Sequence, residues 1–443
     1  MICIGRNNIL YYKYNSNIKE QVEKYFKRVK YYEVDNIINI EFVEEMLDDY
    51  FNIYNQFNKF GIAMNKLNIL EEIGYCDNIY MNFEILIRNL KKNILNRYSI
   101  ENLKNSKYYY FLQSKELEMP RTDLMNEIYL EFNQLKSAKE LPFEKLMQYI
   151  YQREETIKKE NFNCYLDYVK NKIGISEESF NKLLNISISP KNNINLSDEN
   201  TYELKEAKYI LIDILKEHYD AKILSTLLDA VYISDKNSGT TVAYKEIPII
   251  NIKSNNNKIN IITLAHELGH AYHYYCNQSN EIQNFSSRSD FSESFALATQ
   301  LIVSHKLKLN DCIINDYNNF FFDTIYSIQI QRFIGDNYLT LTEDYLAQKY
   351  SNYKDYYRFI LDNFYDIYYL EGFIVGNILK DKIKNYSIDE LKLLLGFNSN
   401  ISLNEILNLF NIDLNNQKML EIYLEKLKKE YKKLISSKNI KLS

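Results

Sequence analysis

Along most of the chain, apolar side chains recur every three or four residues between charged ones. In Ile18–Tyr32 they fall at Ile18, Val22, Tyr25, Phe26 and Val29, the period of a helix with one buried stripe. Similar stripes run through 40–66, 79–98, 123–136 and 143–170. The stretch 186–200, ISISPKNNINLSDEN, joins a proline to a run of turn-forming residues, and it marks a boundary between an N-terminal helical lobe, 1–190, and a second domain, 200–443. A new helical segment starts near Thr201, with Leu204, Ala207, Leu211, Ile214 and Leu215 as its stripe and Glu203 in its first turn. The pattern then changes. Ala230–Lys236, Thr240–Tyr244, Ile247–Ile252 and Ile259–Ile262 are short runs rich in β-branched residues, with turn signals at Asn237–Gly239 and Ser254–Asn257. They predict one small sheet over 230–262. Helical patterns resume to the end, where Ser402-x-x-Glu405 reads as a capping box and Leu420, Leu424, Leu427, Tyr431 and Leu434 form a stripe.

Composition narrows the class. Four prolines and ten glycines in 443 residues leave room for long uninterrupted helices. The 41 tyrosines, with no tryptophan, read as amphipathic filler. A net charge of −5 gives no electrostatic case for a nucleic-acid partner, and the basic Lys426–Lys433 is a solvated helix face. Cys3, Cys76, Cys164, Cys276 and Cys312 are scattered, odd in number and without a CxxC, which argues for a reducing compartment. The first residues, MICIGRNNILYYKYN, hold no apolar core of a signal peptide, and no later run approaches a membrane span. The expectation is a soluble, cytoplasmic protein with no membrane partner; nothing in the pattern speaks to its oligomeric state.

Three of the five histidines fall in Thr263–His273, TLAHELGHAYH. His266, Glu267 and His270 form H-E-x-x-H. Two residues four apart lie about 40° apart around a helix, so both imidazoles can reach one ion, with Glu267 beside them to take a proton from an activated water. The expected zinc helix spans 264–275, with Thr263 as its N-cap. Such a site needs a third protein ligand. A histidine six residues after the second motif histidine is one solution, but Cys276 stands there. The other is a carboxylate on a following helix: Glu293 in DFSESFA opens an apolar helical pattern over 291–305, while its competitor Glu281 lies in the polar loop 277–290. His273 either supports the metal shell or packs. Asp290 is either a partner to a ligand or an ordinary acid at a helix start. His218 and His305 read as structural. The sheet beside the zinc helix either holds an extended peptide on its edge strand or only packs the helix.

Several stretches together resemble one family. HELGHAYHYY with its extra histidine, Tyr202–Gly239 (YELKEAKYILIDIL…LLDAVYISDKNSG), IPIIN with Pro248, and FSESFA are similar to the zinc-dependent oligopeptidases of the oligoendopeptidase F and thimet oligopeptidase family. The resemblance covers about 200–380 and implies a mainly α fold: a two-lobed helical zincin with a small β-sheet beside the H-E-x-x-H helix and a deep substrate channel. It implies one zinc ion per chain, with Glu293 as third ligand, and a catalytic role for 200–443. Lys236 and Gly239 match the family's K-x-x-G turn and become substrate-binding candidates. FYDIYYLEG at 364–372 matches its tyrosine-rich segment, which makes Tyr365 and Tyr369 candidates for binding the scissile carbonyl oxygen. One departure stands out. The family's histidine ahead of that segment has no counterpart, since no histidine follows His305, and Arg358 occupies the equivalent place. A guanidinium can donate to an oxyanion but does not titrate near neutrality. The implied activity is hydrolysis of internal bonds in short unfolded peptides, with Glu267 as general base. The alternatives are a maturation protease removing a leader from one small peptide, and a non-catalytic peptide-binding relic.

Overall fold

The computed structural model describes residues 122–135, 137–159, 161–185, 200–234, 239–242, 247–256, 258–278, 289–361, 365–396 and 403–437, with isolated positions between 20 and 94. The chain divides into two compact units. One comprises Met1–Ser114, Thr201–Ser287 and Asn398–Asn400; the other comprises Lys115–Asn200, Arg288–Phe397 and Ile401–Ser443. They interleave along the sequence, and one of the divisions falls between Asn200 and Thr201, at the end of the turn-rich stretch. The helical stripes predicted before residue 100 lie mostly outside the described residues.

Four helices come first: α1 (Asp123–Gln134), α2 (Phe143–Lys159), α3 (Tyr165–Ile173) and α4 (Glu177–Leu184). The stripe predicted as continuous over 143–170 breaks in two, with Asn161 in a left-handed conformation at φ 65°. Gly174, at φ 76°, closes α3, as an L side chain would do only under strain. Next come β1 (Thr201–Glu203), α5 (Leu204–Leu215), α6 (Ala221–Asp229), β2 (Val231–Ser234), β3 (Gly239–Val242), β4 (Ile249–Asn255), β5 (Lys258–Asn260) and α7 (Ile261–Gln278). The remainder is α8 (Ser289–Lys306), α9 (Asn310–Asp316), a π-helical stretch (Tyr317–Phe322), α10 (Asp323–Asn337), α11 (Glu343–Lys349), α12 (Tyr357–Leu361), α13 (Tyr365–Lys382), α14 (Ile388–Leu395), α15 (Leu403–Leu409) and α16 (Gln417–Ser437). This is the predicted class, mainly helical with one small mixed sheet. No helix among the described residues is long and apolar enough to cross a membrane.

In the first unit the sheet runs β1-β5-β4-β2, with β3 on β4. Strand β4 is its spine. It pairs in parallel with β2 (Val231↔Ile250) and antiparallel with β3 (Gly239↔Ile252), and Ile250, Asn251 and Ile252 are all buried. The helix predicted from Thr201 begins three residues later. Thr201–Glu203 instead pair with Asn260–Lys258 of β5, an extended partnering that local helical periodicity cannot reveal.

In the second unit, Arg153 and Glu154 of α2 are fully buried and pair at 3.0 Å. Their remaining groups are also engaged. Arg153 donates to the Ile360 carbonyl and to Gln331 Oε1, both at 3.4 Å, and its guanidinium lies 4.0 Å over the Tyr165 ring. Glu154 Oε2 accepts from the Tyr165 N–H at 3.0 Å. A buried charge pair is tolerated where such partners satisfy it, and these tie α2 to α3, α10 and α12. The predicted capping box at Ser402 lies outside the described residues; a complete one occurs at Ser387 and Glu390, opening α14. Of the predicted α16 stripe, Leu420, Leu424, Leu427 and Tyr431 are buried, while Leu434 is only half-buried and Ile435 takes its place in the core.

Asp316, at the end of α9, is buried, and burial pushes its carboxyl up to about 7, opposed by a hydrogen bond from Gln300 at 2.7 Å. The folded state therefore holds a proton that the unfolded chain releases near pH 4, so this group's contribution is greatest in acid and is lost as pH rises to about 7. Asp316→Asn should leave stability near pH 4 almost unchanged and raise it by about 2–4 kcal/mol at pH 8. Denaturant unfolding at the two pH values measures the difference.

Candidate metal centre

The centre begins with a strand that runs directly into a helix. Strand β5 ends at Asn260, whose side-chain oxygen accepts from the N–H groups of Ile262 (2.9 Å) and Thr263 (3.1 Å). The cap is therefore Asn260 rather than Thr263, and α7 starts three residues ahead of the predicted position. Leu264, Ala265, Leu268, Ala271 and Tyr272 are buried. The Tyr272 ring stacks on Tyr219 at 4.7 Å, and its hydroxyl accepts the Asp220 N–H at 2.9 Å. Asp220 also caps α6, so one residue fixes that helix and the back of α7.

On the motif face, the Nε2 atoms of His266 and His270 stand 3.1 Å apart, their rings nearly perpendicular at 82°. Two imidazole nitrogens on a tetrahedral zinc, each bonded at about 2.0–2.1 Å, are separated by about 3.3–3.4 Å. The pair fits such an ion with only a slight spreading. Tyr274, one turn on, lies parallel to His270 with centroids 6.1 Å apart. His273 is 3 % exposed. Burial, with His270 beside it, pushes its imidazole down to about 3, which keeps it neutral.

Glu267 is buried against strand β3. The Thr241 hydroxyl lies 2.7 Å from Glu267 Oε2 and 2.9 Å from the Glu267 backbone carbonyl, so one side chain orients the carboxylate and latches strand to helix. Gly239 makes the approach possible. A Cβ there would stand 2.7 Å from Thr263 Cγ2 and 2.9 Å from Glu267 Oε1. Its place in the structure is thus one of close approach to Glu267. Lys236, its companion from the sequence, lies outside the described residues, as does Glu281.

Glu293 is on α8, a helix whose residues Phe291 and Phe295 to Ala298 are buried almost completely. Its neighbour is α13. Gly372 packs there, where an added Cβ would be 3.4 Å from Glu293 Cβ and 3.2 Å from Leu297 Cδ1. At Gly376 an added Cβ would be 3.0 Å from the Ser294 carbonyl and from Leu297 Cβ. Two glycines four apart on one helix face let the backbones close. His266, His270 and Glu293 offer two imidazoles and a carboxylate, a donor set suited to a divalent metal.

The other candidates are placed as follows. Tyr369 is half-buried on α13 and stacks on Phe320 at 5.0 Å. Tyr365 is the first residue of α13, and Asp290 lies in the first turn of α8. Arg358 is exposed on α12. Thr241, Tyr274, Phe320 and Gly376 were not foreseen. A glycine pair spaced four apart in so glycine-poor a chain was a usable signal for the last; the other three carry none, because their partners are distant in sequence.

Two substitutions separate the roles of the glycines. Gly376→Ala must push against the backbone of α8 and should lower unfolding stability by about 1–3 kcal/mol. Gly239→Ala meets side chains only, the stiff Thr263 methyl and the Glu267 carboxylate and Cγ. It should lower stability no more than Gly376→Ala does, while pushing the Glu267 carboxylate off the Thr241 hydroxyl. Denaturant unfolding and a crystal structure of the Gly239→Ala variant check both.

No protein-family model and no curated protein matches the amino-acid sequence, but solved structures match the fold over nearly its whole length. A protein of Chlamydophila abortus provisionally designated a peptidase is 14% identical with a TM-score of 0.60, covering 90% of this chain and 91% of that one. PZ peptidase A, solved with an inhibitor, is 12% identical with a TM-score of 0.59, covering 96% and 97%. A protein of Bacillus anthracis str. Ames provisionally designated an oligoendopeptidase F is 13% identical with a TM-score of 0.53, also covering 96% and 97%. The sequence has diverged far while the path of the chain has not: this protein has the oligoendopeptidase F fold.

Proposed function

We propose that the protein is a zinc-dependent endopeptidase that hydrolyses internal bonds of short unfolded peptides. The observation that carries the reading is the His266–His270 pair, its ring nitrogens spaced for one ion, with Glu267 held beside it by Thr241. When bound there, a zinc ion would acidify a water molecule and polarise a peptide carbonyl. The chain's own residues do the rest. His266, His270 and Glu293 would hold the ion through two imidazole nitrogens and one carboxylate oxygen. Glu267, fixed by Thr241, accepts the proton of the attacking water and delivers it to the leaving amine. Tyr369, with Tyr365, donates to the carbonyl oxygen as negative charge develops on it; Arg358 stands where the resemblance expects a histidine in this role. His273, neutral and buried, packs behind His270. The edge of β3, with Gly239 and the neighbouring Lys236, receives the peptide backbone.

Peptidases among the structural matches support this reading at the level of the fold. Resemblance at YELKEAKYILIDIL, HELGHAYH and FSESFA supports it at the level of residues. Cleavage of a mixed library of short unstructured peptides, read by mass spectrometry, tests it. Wild-type protein should cut many peptides internally, and chelation should abolish the cuts. Glu267→Gln should bind zinc at one equivalent per chain and turn over at least about a thousandfold more slowly. An active Glu267→Gln variant would sink the assignment of the base. A single narrow cleavage would favour the maturation protease.

A further inference from the structure

Tyr369 sits three residues, or about 4.5 Å along the helix axis, before Gly372, which packs against Glu293. Its ring lies nearly parallel to that of Phe320, at 13° and 5.0 Å between centroids. Phe320 comes from the π-helical stretch Tyr317–Phe322, a rare geometry in which the N–H reaches back five residues and which is frequent at functional sites. Here the Asp323 N–H bonds the Asn318 carbonyl. The Thr324 hydroxyl lies 2.8 Å from the Phe320 carbonyl and 3.1 Å from that of Phe321. Tyr431 of α16 donates to Asn318 Oδ1 at 3.0 Å.

The aromatic side chains of this stretch divide into two groups. Tyr317 meets Phe373 edge-on at 4.8 Å, Phe321 lies 5.8 Å from the same ring, and Phe322 meets Tyr431 at 5.0 Å; all three are buried. These contacts fasten the stretch to α13 and α16. Phe320 is different, because it is only half-buried and its contact is with the half-buried Tyr369. Tyr369 and Phe373 are four apart on α13 and so share a face. The stretch therefore grips α13 at a buried ring and lays a second, partly open ring on the next residue of the same face.

We propose that Phe320 is a positioning residue for Tyr369, holding its hydroxyl where the carbonyl oxygen of the peptide arrives. This rests on the reading of Tyr369 as the donor to that oxygen. A tyrosine hydroxyl lies on the axis of its own ring rotation, so only rotation about the Cα–Cβ bond moves it appreciably. A ring stacked flat on one side removes the rotamers on that side and leaves the donor pre-organised. The apolar volume of Phe320 alone does not supply this; its flat face does.

The test uses Phe320→Leu and Phe320→Tyr, each in the wild-type and Tyr369→Phe backgrounds, with kcat and KM on one unstructured peptide and thermal melting to verify folding. Phe320→Leu should lower kcat about fivefold, the scale of a lost aromatic stack, with KM within about twofold. Phe320→Tyr should retain wild-type kcat, and Phe320→Leu should add nothing once Tyr369 has lost its hydroxyl. Unchanged kcat in Phe320→Leu, alongside a slow Tyr369→Phe, overturns the inference and leaves the role of Tyr369 standing. An equal drop in both backgrounds also overturns it, because Phe320 then acts through packing alone. A Tyr369→Phe variant as fast as wild type removes the underlying role of Tyr369, and the inference falls with it.

Discussion

The direct passage of β5 into α7, with Asn260 as the capping residue, constrains the histidines and Glu267 of the candidate centre. No loop intervenes, so the register of the sheet sets the rotation of the helix and hence the direction of His266 and His270. Strand β4 carries that register from both sides, through β2 and β3. Gly239 and Thr241 on β3 then meet Glu267 directly, one by having no side chain and the other by bonding it. A carboxylate held in this way needs no reorientation before it can accept a proton.

The second unit solves a comparable problem with helices. A carboxylate on a nearly fully buried helix has to be fixed by its neighbours, because its own helix offers no polar face. Here α13 packs on α8 through Gly372 and Gly376, and α13 is itself gripped by aromatic rings from the π-helical stretch. Glycine permits the close approach and the rings fix where along the helix it occurs. Buried polar groups elsewhere in this unit follow the same logic. Arg153 and Glu154 are each held by several partners, whereas Asp316 has one strong partner and shifts its proton affinity instead.

Much of this was legible in the sequence, for a physical reason. The H-E-x-x-H spacing is a local property of one helix, so His266, Glu267 and His270 could be read from four consecutive intervals. The amphipathic stripes of α16 and the β-branched runs of the sheet are local in the same sense. The helix that carries Glu293 was legible too, because FSESFA opens an apolar helical pattern. What escaped depended on partners far along the chain. Thr201–Glu203 look helical until β5 is beside them, Thr263 looks like a cap until Asn260 is seen to reach forward, and nothing in the run YNNFFF announces a π-helical turn. The interleaving of the two units belongs to the same class, since no local signal reports which distant segments pack together.

The most direct test of the account is the metal's own coordination shell. X-ray absorption at the zinc edge of the metal-loaded protein should show two imidazole nitrogens and at least one carboxylate oxygen at about 2.0–2.2 Å, and the oxygen shell should change in Glu293→Gln. A sulfur at about 2.3 Å, which only Cys276 on the same helix is placed in sequence to supply, or a third imidazole from His273, would contradict it.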